Sequence, residues 1–197
     1  MELLIFDLGH VVVDFEWEEI CRGFYTRSGH TADEFREIMA FAAGLGYEHG
    51  KVSTAEFLSA FNQKAGLSLS LPEFQPLWVA TFRENPEMAE LLQALGKHHR
   101  LYALSNTNEV HYGHLKHQYN IERHFEDMVL SYRIGYAKPE LEIYKEVLER
   151  SHLPAERCLF IDDLPRNLKP AREMGMNTIQ FCGVEELKLQ LNDCGIL

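Results

Sequence analysis

The sequence predicts an α/β fold: a Rossmann-like, mostly parallel sheet with helices on both faces, plus an inserted small all-helical cap. Four short apolar runs predict buried strands at Leu3–Phe6, Leu101–Leu104, Cys158–Ile161 and Thr178–Phe181, with a weaker fifth at Met128–Ser131. Helical patterns separate these runs, at Pro86–Lys97, Glu109–Gln118, Glu140–Arg150 and Pro170–Met174. Strands that alternate with helices are typical of βαβ units and therefore of a parallel sheet.

The segment that follows the first predicted strand has a different pattern, with four helical stretches and no clear strand. The stretches are Glu16–Thr26, Ala32–Ala43, Thr54–Ala65 and Pro72–Thr81. Ser53 and Glu56 have the spacing of a helix N-cap and its partner. We therefore predict an α/β core formed by residues 1–14 and 84–197, and a helical cap formed by residues 15–83.

The composition is that of an ordinary globular chain with an acidic surface. The 197 residues carry a formal net charge of −11, which disfavours non-specific binding to nucleic acid because like charges repel. No apolar stretch is long enough for a membrane span. The four cysteines are scattered, as is typical of reduced thiols. We expect a cytoplasmic monomer or homodimer whose partner is a small molecule, with no nucleic acid and no membrane.

Polar residues cluster at the ends of the predicted strands, where parallel α/β sheets bind their ligands. The clusters, in chain order, are Phe6-Asp7-Leu8-Gly9-His10-Val11-Val12, Leu104-Ser105-Asn106-Thr107-Asn108, Gly135-Tyr136-Ala137-Lys138-Pro139-Glu140 and Phe160-Ile161-Asp162-Asp163-Leu164-Pro165-Arg166-Asn167. A carboxylate such as Asp7 can attack phosphorus and form a covalent intermediate. Two adjacent carboxylates, Asp162 and Asp163, are costly to bury without a cation, and Mg²⁺ prefers oxygen ligands.

Together, these four clusters resemble the ordered motifs of the haloacid dehalogenase superfamily of hydrolases, with the helical insert in the position of that superfamily's cap. Within it, the chain is similar to bacterial α-D-glucose-1-phosphate phosphatases and to the N-terminal phosphatase domain of soluble epoxide hydrolases. The resemblance implies a Mg²⁺-dependent phosphatase with an aspartyl-phosphate intermediate on Asp7. Its substrate would be a small phosphorylated metabolite, such as a sugar phosphate, including anomeric ones, or an acyl phosphate.

The resemblance also implies a role for each site residue. Asp7, the Gly9 carbonyl and Asp163 would bind Mg²⁺, with Asp162 contributing through water. The Ser105 hydroxyl and the Asn106 backbone N–H would hold the phosphoryl oxygens. Lys138 would pair with Asp7 and with the phosphoryl group, and Asn167 would fix the loop that carries the two aspartates.

The chain departs from the superfamily pattern at Gly9. Most phosphatases of this superfamily have a second aspartate at that position, which protonates the leaving oxygen, and general acid–base help of this kind is typically worth about 10²–10⁴ in rate. Three outcomes are open. The missing acid is replaced by His10, by Asp14 or by a cap residue; the substrate has a good leaving group that needs little protonation; or the enzyme is slow or inactive. For His10, a structural role in the loop is an equal alternative.

Two alternatives to the phosphatase remain open. A metal-independent 2-haloacid dehalogenase uses a similar aspartate, although metal-free chemistry gains nothing from the pair at Asp162 and Asp163. A catalytically weak phospholigand-binding protein is consistent with Gly9.

Three further features carry less weight. Tyr47-Glu48-His49 and Trp78 either line the pocket mouth or belong to cap packing and surface loops. The histidines of His111-x-x-His114-x-x-His117 are predicted to form a solvated helix face rather than a metal site.

Overall fold

The computed structural model describes all 197 residues. The strands are β1 (Leu3–Phe6), β2 (Val13–Asp14), β3 (Arg83–Glu84), β4 (Arg100–Ser105), β5 (Asp127–Leu130), β6 (Cys158–Asp162) and β7 (Asn177–Gln180). The helices are α1 (Trp17–Ser28), α2 (Ala32–Gly44), α3 (Thr54–Ala65), α4 (Leu71–Trp78), α5 (Pro86–Leu95), α6 (Glu109–Tyr119), α7 (Ser131–Ile134), α8 (Leu141–Ser151), α9 (Pro165–Glu173) and α10 (Val184–Asp193). None of them has both the length and the apolar composition that a membrane crossing demands.

Five strands form one sheet in the order β5–β4–β1–β6–β7, and every pairing in it is parallel. Each predicted strand is present, with its ends within two residues of the expected positions. The central strand β1 is fully buried, as its continuous apolar sequence predicts for a strand that is covered on both faces. The predicted fold class is therefore confirmed, and the carboxyl ends of β1, β4 and β6 meet at one edge.

The sheet has a hydrophobic core on each face. Along β1, Leu4 and Phe6 belong to one buried cluster, whereas Leu3 and Ile5 belong to the other, because successive side chains of a strand point to opposite faces. The first cluster has 39 buried residues and extends from the sheet into helices α1–α4; the second has 14 and includes residues of α8 and α9. The insert is therefore packed against the sheet by a continuous apolar contact.

The insert contains four helices, α1 to α4, between Trp17 and Trp78. Three of them begin with a capping box, among them the one expected at Ser53, whose backbone N–H donates to Glu56 at 2.8 Å. A short antiparallel ribbon of β2 and β3, which the sequence did not predict, pairs Asp14 with Arg83 at the base of the insert. The division into residues 1–14 plus 84–197 and residues 15–83 stays a prediction.

The C-terminal region departs from the predicted pattern at two points. Helix α9 begins at Pro165 rather than at Pro170, because a proline suits the first helical turn, where its missing N–H costs nothing. Pro170 then lies inside the helix and forfeits one backbone hydrogen bond. Helix α10 was not predicted; it buries Val184, Leu187 and Leu191 in the larger cluster.

The aromatic core of the insert provides a stability test. The ring of Phe24 is fully buried and lies with its centroid 5.2 Å from that of Phe61 and 5.6 Å from that of Phe74. We expect Phe24→Ala to lower the free energy of unfolding by about 3–5 kcal/mol, because it leaves a cavity among large rings. The control Phe41→Ala removes a ring that is 41% exposed, and should change stability by less than about 1 kcal/mol. Equal losses in urea unfolding would contradict this description of the core.

Candidate active site

Asp7 directly follows the central strand β1 at the edge where the parallel strands end. Its backbone N–H donates a hydrogen bond to the Ile161 carbonyl of β6 at 2.9 Å, which extends the pairing of β1 with β6 and fixes the position of the residue. The carboxylate is almost completely buried, and its Oδ1 accepts hydrogen bonds from the Leu8 N–H at 2.7 Å and from Lys138 Nζ at 2.8 Å. Its Oδ2 has no hydrogen-bond partner in the protein and is therefore available to a ligand.

Lys138 lies between two buried carboxylates. Its Nζ contacts Asp7 Oδ1 at 2.8 Å and Asp162 Oδ2 at 2.7 Å, and its side chain is only 1% exposed. Burial opposes the charge of the ammonium, but the two carboxylates outweigh that effect and raise the pKa of Lys138. The lysine is thus held as a cation beside Asp7. Pairing with Asp7 was expected; pairing with Asp162 was not.

Asp162, at the end of β6, is fully buried and has partners for both carboxylate oxygens. Oδ1 accepts from the Leu164 N–H at 2.9 Å and from Asn167 Nδ2 at 3.0 Å, while Oδ2 accepts from Lys138. Asn167, expected to fix this loop, also lies 3.1 Å from Oδ2. With its oxygens engaged in this way, Asp162 orients Lys138 and the following turn.

Asp163 differs from its neighbour because it is half-exposed and accepts no hydrogen bond from any other residue. The carboxylates of Asp7, Asp162 and Asp163 each place one oxygen within 4.8 Å of the other two. Burial raises the pKa of Asp7 and of Asp163, and the charge of Asp162 raises both further. A donor set of hard oxygens that repel one another fits a divalent cation such as Mg²⁺. Asp7 and Asp163 have oxygens free to bind it.

The loop after β4 supplies Ser105 and Asn106. Ser105 is buried, and its hydroxyl has no partner in the protein. The side chain of Asn106 holds the backbone of Lys138: its Nδ2 donates to the Lys138 carbonyl at 2.8 Å, and its Oδ1 accepts from the Lys138 N–H at 2.7 Å. The Asn106 side chain is therefore used for positioning, which leaves the backbone N–H for the predicted contact with phosphate.

Sequence reasoning missed a second anchor of this loop, Ser131. The Oγ of Ser131 accepts from the Thr107 N–H at 2.9 Å and lies 3.1 Å from the Thr107 carbonyl. Asn108, which follows Thr107, caps helix α6: its Oδ1 accepts from the His111 N–H at 3.0 Å. Ser131 carries no local signal, since its contact depends on the alignment of β4 with β5.

All but one of the residues predicted to form the site line a single cavity of about 410 Å³. Of the predicted site residues, all except Asp162 line it: Asp7, Gly9, His10, Ser105, Asn106, Lys138, Asp163 and Asn167. The insert contributes Trp17 and Glu48 to the wall. A larger hollow of about 880 Å³ lies at the opposite end of the strands, but it contains none of the predicted residues.

Gly9, the position at which the resemblance leads us to expect an aspartate in most phosphatases, faces an aromatic side chain. A Cβ added at Gly9 would lie 3.2 Å from Cε1 of Phe15, so a larger side chain requires that ring to move. His10 has a left-handed backbone (φ 56°) and packs its ring on Phe15, with centroids 4.1 Å apart. Asp14, one of the expected substitutes for the missing acid, does not line the cavity.

The histidines of helix α6 form the predicted solvated face only in part: His117 is exposed and His114 is partly buried, whereas His111 is not on a solvated face. His111 is buried and stacks on Trp78 of the insert, with centroids 5.5 Å apart. Burial lowers its pKa to about 3, so it is neutral at physiological pH. The prediction was wrong for His111 because Trp78 of the insert covers this residue, a contact that the local pattern does not reveal.

The fold and the site define a class: a parallel α/β fold with a buried lysine and three clustered carboxylates, Asp7, Asp162 and Asp163, at the ends of its strands. A family model described as haloacid dehalogenase-like hydrolase matches residues 1–175. The chain therefore belongs to the haloacid dehalogenase-like hydrolases, which confirms the predicted family.

Individual relatives agree with this assignment. The chain is 27% identical over 188 residues to a D-ribitol-5-phosphate phosphatase of Bacteroides thetaiotaomicron, covering 90% of both chains. It is similar to a crystal structure of a HAD family enzyme from the same organism at 28% identity, with a TM-score of 0.88 over 96% of this chain and 98% of the other. A second structure of that enzyme, a complex with magnesium and inorganic phosphate, matches with a TM-score of 0.82 over 91% and 93% of the two chains.

The expected likeness to epoxide hydrolases is present as a local match. Over 59 residues the chain is 44% identical to a bifunctional epoxide hydrolase of Rattus norvegicus, which spans 30% of this chain and 11% of that protein. The relatives that match along most of the chain are phosphatases, so the predicted enzyme class, a phosphomonoesterase of this family, is confirmed.

The two adjacent aspartates should differ in how much stability the protein loses when their charge is removed. We expect Asp162→Asn to lower the free energy of unfolding by about 3 kcal/mol, because it leaves the buried Lys138 with one carboxylate partner. Asp163→Asn, the matched control, should change it by less than about 0.5 kcal/mol or stabilise the protein, since it removes a repulsive charge. Urea unfolding in EDTA measures both. Similar losses for the two variants would show that Asp162 is not the residue that holds Lys138.

Proposed function

We propose that this protein is a Mg²⁺-dependent phosphatase that hydrolyses a small phosphorylated metabolite through an aspartyl-phosphate on Asp7. The observation that carries the proposal is the shared cavity, in which Asp7 has a free oxygen beside a buried lysine and an unpaired Asp163. The magnesium and phosphate bound in a structure of the B. thetaiotaomicron enzyme support the cofactor and the ligand class.

Asp7 acts as the nucleophile in this proposal. One oxygen of its carboxylate attacks the phosphorus and the other would be the one offered to Mg²⁺, while the Leu8 N–H and Lys138 orient the carboxylate. The Ser105 hydroxyl and the Asn106 backbone N–H donate to the phosphoryl oxygens, and Lys138 offsets their negative charge. Asp7, Asp163 and the Gly9 carbonyl would hold Mg²⁺, with Asp162 contributing its charge. When bound, the ion neutralises charge on the phosphoryl oxygens.

The substrate is a small phosphate ester. The cavity of about 410 Å³ suits a metabolite rather than a polymer. Relatives that cover most of the chain act on polyol and sugar phosphates: the D-ribitol-5-phosphate phosphatase, and a phosphorylated carbohydrates phosphatase of Thermotoga maritima that is 25% identical over 91% of this chain and 84% of its own. These relatives support a sugar or polyol phosphate; a monomer or homodimer stays a prediction.

A phospholigand-binding protein without turnover is the second candidate. It is favoured by the packing of Phe15 against Gly9, which leaves no room for an acid at the usual position unless the ring moves. A metal-independent dehalogenase is disfavoured, since Asp163 would then remain an unpaired, partly desolvated charge.

The nucleophile can be tested by Asp7→Asn. With Mg²⁺ and 4-nitrophenyl phosphate, we expect the substitution to abolish turnover, because the amide cannot form the acyl phosphate, and we expect excess EDTA to abolish wild-type turnover. Both proteins should show the same circular dichroism spectrum. Turnover that persists in Asp7→Asn, or that does not respond to EDTA, would contradict the proposed function.

The metal site can be tested without an assay of activity. Mg²⁺ at about 100 times its dissociation constant should stabilise the wild-type protein by about 2.7 kcal/mol, since it binds only the folded chain. Asp163→Asn should lose most of this stabilisation, whereas Asp193→Asn, a change in the last residue of helix α10, should keep it. Thermal denaturation over a Mg²⁺ titration measures the difference. An equal response in all three proteins would contradict the assignment of Asp163.

A further inference from the structure

Phosphate transfer to Asp7 needs a proton for the leaving oxygen when the leaving group is an ordinary alcohol. The chain has no side chain for this purpose at Gly9, and Asp14 does not line the cavity. Apart from Asp7 and Asp163, one carboxyl group lines the cavity, and it belongs to Glu48 of the insert. The loop that carries Glu48 is built to hold it there.

The loop from Gly46 to Gly50 is a tight turn between helices α2 and α3. Tyr47–His49 form one turn of 3₁₀ helix, flanked by glycines with left-handed backbones (φ 73° and 63°). In a 3₁₀ helix, three consecutive side chains point in three directions, about 120° apart. If two of them are anchored, the direction of the third is fixed.

Tyr47 anchors the turn to the insert. It is buried, and its ring stacks on Phe57 with centroids 4.3 Å apart. The tyrosine hydroxyl lies 2.8 Å from Thr54 Oγ1, and the same threonine hydroxyl donates to Glu109 at the start of helix α6 in the core. This side of the turn is therefore fixed by packing and by a hydrogen-bond chain that reaches the core.

His49 anchors the other side directly to the loop that carries the catalytic lysine. Its Nε2 lies 3.1 Å from Glu140 Oε2, and the same oxygen accepts from the Ala137 N–H at 2.6 Å, one residue before Lys138. The next residue, Gly50, approaches the core so closely that an added Cβ would lie 2.1 Å from the Tyr132 carbonyl oxygen. The turn is thus pressed against the phosphate-binding side of the core.

We propose that Glu48, the side chain between these two anchors, is the general acid and base that replaces the missing aspartate. This inference rests on the proposed function. It assigns a proton-transfer role to a residue of the insert, so that the core supplies the nucleophile and the insert supplies the proton.

The electrostatic setting of Glu48 suits the role. Glu48 is exposed to solvent at the cavity; partial desolvation by the surrounding protein raises the pKa of its carboxyl group, while His49 and Lys138 act in the opposite direction. The other charged or titratable groups on the cavity wall are Asp7, Asp163, His10, His111 and Arg166. A carboxyl group with a raised pKa is a better proton donor at neutral pH than an ordinary surface glutamate.

The reaction balances with Glu48 in this position. One carboxylate oxygen of Asp7 forms a bond to phosphorus as the bond from phosphorus to the leaving oxygen breaks, and the proton of Glu48 moves to that oxygen, so a neutral alcohol departs. In the second step, the Glu48 carboxylate takes a proton from water as the water oxygen attacks phosphorus. The bond between Asp7 and phosphorus then breaks, inorganic phosphate leaves, and Glu48 is again protonated.

The test compares two phosphate esters of similar size that differ in their need for a proton. The alcohol of benzyl phosphate leaves only with protonation, whereas the nitrophenolate of 4-nitrophenyl phosphate leaves without it. With saturating Mg²⁺, we expect Glu48→Gln to lower kcat/KM at least about 100-fold for benzyl phosphate but at most about threefold for 4-nitrophenyl phosphate. The isosteric amide keeps the size of the side chain and removes only the proton transfer.

The control is Glu37→Gln, the same change at an exposed position of helix α2 that does not line the cavity; it should leave both rates unchanged. An equal loss on both esters in Glu48→Gln would assign Glu48 to the shape of the cavity and overturn the proposal. Full retention of benzyl phosphate hydrolysis would overturn it as well and would point to His10. A wild-type protein that hydrolyses neither ester would instead contradict the proposed function.

Discussion

The arrangement of charges around Lys138 is the constraint on which the site depends. A buried ammonium is stable only with close anionic partners, and here Asp7 and Asp162 provide them at 2.8 and 2.7 Å. The two carboxylates come from neighbouring strands, so the ion pairs fix the ends of β1 and β6 relative to the loop that carries the lysine. Asn106, which holds the backbone of Lys138, connects the end of β4 to the same point.

The contacts around Lys138 also explain why the adjacent residues Asp162 and Asp163 differ in their roles. The partners of Asp162 occupy its oxygens and fix its charge, whereas Asp163, one residue further along the chain, remains open to the cavity with a raised pKa. The protein core thereby holds one carboxylate for structure and leaves one for a cation. The insert completes the site from the other side, because its apolar core is continuous with that of the sheet and positions Glu48 at the cavity.

The strand-end residues were predictable from the sequence, because a parallel sheet places the carboxyl ends of its strands at one edge. Asp7, Ser105 and Asp163 accordingly line one cavity, and Lys138 joins them from the loop that follows helix α7. The contacts that the sequence does not reveal join distant parts of the chain: His49 with Glu140, 91 residues apart, and Ser131 with Thr107, 24 residues apart. The burial of His111 under Trp78 has the same origin. The spacing of apolar residues in the sequence predicts which face of a helix or strand is buried, but it does not predict which other element covers that face.

A crystal of the protein grown with Mn²⁺, which accepts the same oxygen ligands as Mg²⁺, tests the central claim most directly. The anomalous difference map should contain one strong peak between the carboxylates of Asp7 and Asp163, with Lys138 still paired to Asp7 and Asp162. A strong peak only at another position, or no peak between Asp7 and Asp163 at saturating Mn²⁺, would contradict the account.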